Sequence, residues 1–440
     1  MKKAQFIIAA PSSNTGKTTL TLGLLRAFQK RSLSIQPFKC GPDYIDPKFH
    51  QVACQKTGIN LDLYMMSESD IIDTYQQYSG RADVSCIEGV MGLFDGARKA
   101  KGSTAELAEL LNLPIIFVVN AKATAYSIAP LLYGFKHFNP SLKIAGVIFN
   151  RVNTASHYSF LKEACLDIGL PSLGYLPSLE NCEIPSRHLG LSIENIQAYD
   201  ASINQFAEAL EKTVDVDQLL DTCLVETVST KKLLSSEKNN SSFKIAIAKD
   251  EGFNFCYEQS ISILKRKGAL TYFSPIHDKE LPAADFVYFP GGYPEYYLEQ
   301  LTANTSMLES IHKYALNDGL IWAECGGMMY LGKAIVDKEG KAHKMVGIFD
   351  FITSMETMKL KLGYRTIHLD GFDLKGHEFH YSTIQNQEKT PTIGRMSTAR
   401  GKAIDTAVYQ FKNVLASYTH LYFGTDKLLQ QLLSLLTKSN

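Results

Sequence analysis

Cys325 lies in Trp322–Leu331, WAECGGMMYL, and its neighbours decide what the sulfur could do. Leu320, Ile321 and Trp322 read as the end of a buried strand, and Met328 to Leu331 as the first turn of a helix. The cysteine is therefore expected on the tight turn at a helix N-terminus. Unpaired N–H groups and a partial positive charge there favour thiolate, lowering a pKa that is ~8.5 in a free cysteine. Gly326 and Gly327 are expected to keep the approach to the sulfur open. Upstream, Val287–Glu295, VYFPGGYPE, is an apolar strand running into a glycine turn, Gly291 and Gly292, whose bare N–H groups suit an oxyanion. Downstream, Ser417–Phe423, SYTHLYF, supplies His420 as a base. A thiol paired with a base is the minimum that attack on an amide needs.

A second set of reactive residues lies near the N-terminus. Phe6 to Ala10 is a short apolar strand, followed by PSSNTGKTT, Pro11–Thr19, and a helical pattern through Leu20, Leu24, Leu25 and Phe28. Strand, glycine loop, Lys and Thr, then helix is the arrangement that cradles phosphate. Asn14, Thr15, Gly16 and Thr19 belong to that loop, Lys17 would reach the terminal phosphates of ATP, and Thr18 would ligand Mg²⁺. Pro11 stands where the usual pattern has its first glycine. Phe38–Pro47, FKCGPDYIDP, puts Lys39, Asp43 and Asp46 into one loop shaped by Gly-Pro and Asp-Pro breaks. Ala82–Gly96, ADVSCIEGVMGLFDG, is a strand ending in Glu88 and then a loop with Asp95. A carboxylate at a strand end beside a phosphate loop is where a Mg²⁺ ligand belongs, so Thr18, Asp43 and Glu88 form the expected metal set. Ile144–Val152, IAGVIFNRV, ends a strand at Asn150 and Arg151, where a nucleotide base could be read. Tyr44 and Ile45 offer an apolar surface to a flat ring, and Arg98, Lys99 and Lys101 are either carboxylate partners or a solvated loop.

Positioning two such sites takes two cores, and 440 residues exceed what one core supplies. The expected fold class is α/β: two doubly wound, mainly parallel-sheet domains with helices on both faces. Apolar runs such as Pro114–Val119 and Phe286–Phe289 suit strands buried on both sides. The first domain is expected over residues 1–200, a connecting helix and polar linker over 201–242, and the second domain over 243–440. The helix is read from Asn204 to Leu220 and the boundary near Ser235–Ser242, SSEKNNSS. Ligand sites follow at the carboxyl ends of the strands. Zero formal net charge leaves no overall basic surface for nucleic acid or anionic membrane. No stretch is long and apolar enough for a membrane span, and the apolar Phe6–Ala10 run is better read as a strand than as a signal peptide. Eight cysteines without a CxxC pair argue against a zinc site or a disulfide framework and suit a reducing cytoplasm.

In order, the glycine turn, cysteine elbow and late histidine resemble the class I glutamine amidotransferase domain. That family's usual triad places Glu two residues after the His, where this chain has Tyr422; the branch acting on tetrapyrroles is similar in lacking it. The first half resembles the dethiobiotin-synthetase-like P-loop enzymes. With GPDYIDP, EGVMGLFDG, PGGYPE, AECGGMMYL and GHEFHYS all present, the chain resembles the cobyrinic acid a,c-diamide synthase family almost end to end. The resemblance implies ATP- and glutamine-dependent amidation of the a and c acetate carboxylates of a corrin ring, through an acyl phosphate and ammonia. It also implies Mg²⁺ and small-molecule partners (a corrinoid polycarboxylate, glutamine and ATP). Cys325 and His420 would be catalytic, and Tyr44, Ile45, Asp46 and Asp95 would meet the substrate. A homodimer is left open. Diamidation of hydrogenobyrinic acid or nickel sirohydrochlorin, and cobyric acid synthesis, would look much the same. A MinD-like ATPase switch is the reading from another class; such proteins carry an early loop lysine where this chain has Ser12.

Overall fold

The computed structural model describes residues 2–179, 182, 184, 193–226 and 242–437, with 193–195 as backbone, and the chain divides into two compact units, residues 1–235 and 236–440. The first unit is built on an eight-stranded sheet. Its strands are β1 (Lys2–Ala9), β2 (Ile35–Cys40), β3 (Ile59–Leu61), β4 (Val84–Glu88), β5 (Ile115–Asn120), β6 (Ile144–Asn150), β7 (Ser172–Leu176) and β8 (Leu224–Glu226). Seven run parallel in the order β3-β2-β4-β1-β5-β6-β7, and β8 lies antiparallel beside β1. Successive residues Phe6, Ile7 and Ile8 are all fully buried, as a strand covered on both faces requires. Each such side chain contributes roughly 1.5–3 kcal/mol by leaving water. From β1 the chain moves to one side for β2 to β4 and to the other for β5 to β7. That switch point opens a crevice at the carboxyl ends of β1 and β4.

Helix α1 (Lys17–Lys30) starts directly after Gly16, and α2 (Asp46–Cys54) carries Pro47 in its first turn, where a missing N–H costs nothing. Arg26 of α1 donates to the carbonyls of Val52 and Ala53 at 2.8 Å, and to Asp200 and Asn204 at 2.6 Å. It thereby ties α1 to α2 and to the helix Asp200–Thr213. The single helix expected over Asn204–Leu220 is two, Asp200–Thr213 and Val216–Thr222. Val214 breaks them by turning extended to bridge Gly174, and Asp215 restarts the helix by accepting from the N–H of Gln218 at 2.9 Å. The expected polar boundary at Ser235–Ser242 lies outside the described residues apart from Ser242.

The second unit has β9 (Lys244–Ala248), β10 (Ala269–Phe273), β11 (Phe286–Phe289) and β12 (Leu320–Glu324) as parallel strands in the order β10-β9-β11-β12. Val414–Ser417 continues the sheet in parallel, and Val408–Phe411 and Thr392–Ile393 close it antiparallel. The doubly wound expectation holds for this central sheet. The unit adds a five-stranded antiparallel sheet that includes Lys361–Leu369, Phe372–His380 and His420–Leu421, and a separate four-stranded sheet. Among the described residues no helix is long and apolar enough to cross a membrane.

Candidate active sites

Between β1 and α1 the chain turns sharply, with Asn14 at φ 60° and Gly16 at φ 103°. A Cβ on Gly16 would lie 2.0 Å from Asn150 Nδ2, so only glycine lets the end of β6 come this close. Asn150 donates that Nδ2 to the Thr15 carbonyl at 2.9 Å, and its Oδ1 accepts from the N–H of Arg151 at 2.9 Å. The residue expected to read a base is thus also a brace for the phosphate loop. Thr15 itself closes the loop by donating to the Ser12 carbonyl at 2.8 Å. Lys17 reaches across it to the carbonyls of Ser12 at 3.2 Å and Met91 at 2.5 Å.

Behind the loop, Glu88 collects three partners. Its Oε1 accepts from the Thr18 hydroxyl at 2.6 Å and lies 3.3 Å from Lys39 Nζ, while Oε2 meets His50 Nε2 at 2.8 Å. Strand register explains part of this, because Lys39 of β2 and Ile8 of β1 flank Glu88 of β4. Lys39 also pairs with Asp46 Oδ2 at 2.8 Å. Asp46 and His50 stand four residues apart on α2 and so share one helix face, a spacing that could have flagged His50 from the sequence.

A cavity of about 880 Å³ opens over these groups. Of the expected ATP set, Asn14, Gly16, Lys17, Thr18, Thr19, Lys39, Asn150 and Arg151 line it and Thr15 does not. Of the expected metal set, Thr18 and Glu88 line it. Asp43 stands apart from that wall: its Oδ1 accepts from the N–H groups of Ile45 at 2.8 Å and Asp46 at 2.9 Å, a turn that starts α2. Ile45 and Asp46 reach the lining, whereas Tyr44 and Asp95 do not; Asp95 Oδ2 accepts from Gly92 N–H at 2.9 Å. Arg98, Lys99 and Lys101 are exposed on a turn in which Arg98 bridges Lys101. Lys122 and Asn153 line the cavity although the sequence gave no sign of them. Mg²⁺ uses one or two protein oxygens and completes its shell with water and phosphate. The hydroxyl of Thr18 and the carboxylate of Glu88, already in contact, fit that demand.

In the second unit β12 ends at Glu324 and Cys325 takes φ 47° and ψ −108°, a left-handed turn costly for a residue with a side chain. Its N–H donates to the Ser417 carbonyl at 2.8 Å, and the short helix Gly326–Leu331 follows. The two glycines after it serve packing. A Cβ on Gly326 would lie 2.9 Å from the Gly292 carbonyl, and one on Gly327 2.5 Å from the Phe289 carbonyl. They let the glycine turn press against the elbow. On its other side Gly291 carries His420: a Cβ there would strike the imidazole Cε1 at 2.2 Å.

The thiol does not follow the expectation of a lowered pKa. Cys325 is 5% exposed, and burial, with Glu295 next, pushes it well up; the Gly326 N–H pulls the other way and loses. Its Sγ donates to the Phe379 carbonyl at 3.7 Å. His420 is also buried, and burial together with His377 and His380 lowers it to about 3 against the pull of Glu378. The resting pair is therefore neutral thiol and neutral imidazole. Glu378 stands behind the Phe379 carbonyl, paired with Arg365 and, at 2.8 Å, with His380, whose ring stacks on Tyr418 at 3.5 Å. Burial pushes the Glu378 carboxyl up, but His380 and Arg365 hold it down at about 2. Tyr422, where the usual Glu would stand, packs edge-on against Tyr257, and its hydroxyl lies over Gly424. Glu324, to which the sequence reading gives no role, is the last residue of β12. Its Oε2 is 3.9 Å from His420 Nδ1.

Residues 6–191 match the CobQ/CobB/MinD/ParA nucleotide binding domain, and residues 244–428 match the CobB/CobQ-like glutamine amidotransferase domain. A cobyrinate a,c-diamide synthase of Listeria innocua serovar 6a is 39% identical over 95% of this chain and 96% of its own length. The protein of that name in Salmonella typhimurium is 39% identical over 95% of both chains, and that of Picrophilus torridus 38% over 97% of both.

Proposed function

The chain belongs to the cobyrinate a,c-diamide synthase family, and from that premise we propose that it amidates the a and c acetate carboxylates of cobyrinic acid, with ATP as activating cosubstrate and glutamine as nitrogen donor. The observation that carries the reading is the gathering, on one chain, of Lys17, Thr18, Lys39 and Glu88 at one cavity and of Cys325, His420 and the Gly291–Gly292 turn at another site.

A carboxylate resists ammonia because its leaving group would be oxide. Transfer of the γ-phosphoryl group of ATP to a carboxylate oxygen gives an acyl phosphate and ADP, and Lys17 and Lys39 offset the charge that moves. Thr18 and Glu88 would hold Mg²⁺, which supplies further charge neutralisation when bound. In the second unit the Cys325 thiol proton passes to His420 as sulfur bonds to the glutamine amide carbon, and the Gly291–Gly292 turn faces the oxyanion. The C–N bond breaks and that proton leaves with ammonia. Water, giving a proton to His420, then releases glutamate and the thiol is restored. Ammonia attacks the acyl phosphate, phosphate leaves, and the amide is formed. On this reading Ile45 and Asp46, which line the cavity, would meet the ring. All eight cysteines are free thiols, which suits the reducing cytoplasm.

Cobyrinic acid labelled with ¹⁸O in its carboxyl groups tests this. Label should appear in the released phosphate, alongside a diamide product. Diamide from cobalt-free hydrogenobyrinic acid or nickel sirohydrochlorin alone would move the assignment to that ring. ATP hydrolysis without any tetrapyrrole, without label transfer and without amide, would reject it for an ATPase switch.

A further inference from the structure

A histidine that must take a proton from a thiol on one nitrogen needs the other nitrogen held, or its tautomer and ring angle drift. The position two residues after His420 is Tyr422, directed toward Tyr257 and Gly424. Glu324, the residue before the nucleophile, comes from a different element and reaches the same imidazole. It is fully buried, and its Oε2 lies 3.9 Å from His420 Nδ1. That separation exceeds a hydrogen bond, as catalytic contacts commonly do before substrate arrives.

The carboxylate is itself held on three sides. Oε1 accepts from Trp322 Nε1 at 2.7 Å and from the Leu421 N–H at 2.9 Å, while Oε2 accepts from the Tyr288 hydroxyl at 2.7 Å. The Leu421 bond matters most, because it fixes Glu324 to the backbone of the residue next to His420. Position and partner are thereby locked together. Burial pushes the Glu324 carboxyl up to about 7, with those three donors opposing. His377, opposite His420 in the strand register with its ring 6.4 Å away, His380 and Glu378 are further titratable groups acting on the imidazole.

We propose that Glu324 is the positioning residue for His420 in the glutaminase half-reaction, supplied from the nucleophile's own strand in place of a carboxylate after the histidine. This rests on reading Cys325 and His420 as the glutaminase pair. With Nδ1–H turned to Glu324, Nε2 is left unprotonated to receive the thiol proton.

Glu324→Gln is the informative change, since its amide oxygen can still accept from Trp322 and Leu421 while the charge is gone and an N–H faces Nδ1. The expected result is a fall in kcat for glutamine-driven amidation of roughly 10²–10⁴-fold, with KM for glutamine little changed, because a wrong tautomer spoils the base without emptying the site. Ammonium-driven amidation should stay within about twofold of the unaltered enzyme. Glutaminase activity within twofold of the unaltered enzyme overturns the proposal, and so does equal loss with both nitrogen sources, the mark of a purely structural role. Should the variant not fold, ¹⁵N-histidine NMR of the unaltered protein decides, with the His420 signal assigned by His420→Gln. A proton on Nδ1 supports the assignment and one on Nε2 overturns it. Cys325→Ala serves as the control: persistence of glutamine-driven amidation there would sink the underlying glutaminase reading instead.

Discussion

At the phosphate loop, Lys39, Asp46 and Glu88 are buried as charges set against one another within 3.3 Å, whereas around Cys325 burial leaves the thiol and the imidazole neutral. Lys39, Asp46, Glu88, Cys325 and His420 are all buried, so the difference comes from the partners of each group. A buried pair such as Lys39–Asp46 adds little net stability, since desolvating two ions offsets most of their attraction. Its consequence is positional: the pairing holds Lys39 at the cavity, beside Lys17, before ATP arrives. The cysteine site is prepared for a proton that moves between two uncharged groups, where standing charge on sulfur would be costly. The phosphate-loop cluster thus holds standing charge, and the Cys325–His420 pair a proton that can move.

Cys325→Ala should show the sharpest separation. Glutamine-driven amidation should fall at least ~10⁴-fold while ammonium-driven amidation stays within about twofold, measured by diamide formation. Loss of both would erase the division of labour between the units. Glu88→Gln should act on the other side of it. Synthesis with either nitrogen source should fall by roughly 10²–10³-fold, since removing one fixed electrostatic partner of a transition state costs about that much. A loss confined to glutamine would contradict the placement.

The next effect is on stability. Glu378 has its folded pKa depressed to about 2 from an ordinary 4.5, so the unfolded chain binds the extra proton between those values. Its contribution is therefore complete above pH 4.5 and lost as pH falls toward 2, amounting to about 3 kcal/mol. Urea unfolding of the unaltered protein and Glu378→Gln at pH 7 and pH 3 should show the gap between them narrowing in acid; a constant gap would refute it. Smaller still, Gly16→Ala should lose about 1–3 kcal/mol through the positive φ and the collision with Asn150, read as a lowered melting temperature and weaker nucleotide binding.

Much of both sites could be read from the sequence because their signals are local. Gly16, Lys17 and Thr18 follow a strand within a few residues, and Cys325 sits between an apolar run and two glycines. Where the reading failed, the cause lay far along the chain. The rise in the thiol's pKa comes from burial, and Phe379, fifty-four positions away, supplies the carbonyl on the sulfur. The sequence reading makes Asp43 a metal ligand and Asp46 a substrate contact, whereas the start of α2 turns the first carboxylate onto its own backbone and sends the second to Lys39. The strands Lys361–Leu369 and Phe372–His380 escaped notice because an antiparallel sheet with a partly exposed face leaves no continuous apolar run. The break at Val214 needed Gly174 as a partner, which no helical periodicity contains.

The antiparallel pairing of β8 with β1 sets Lys2 directly against Glu226. A module whose first and last strands are stitched side by side behaves like a bead with both holes on one face. Another sequence can be strung to it without pulling its fabric apart. A sequence joined beyond β8 therefore leaves the parallel strands β4, β1 and β5 as they are.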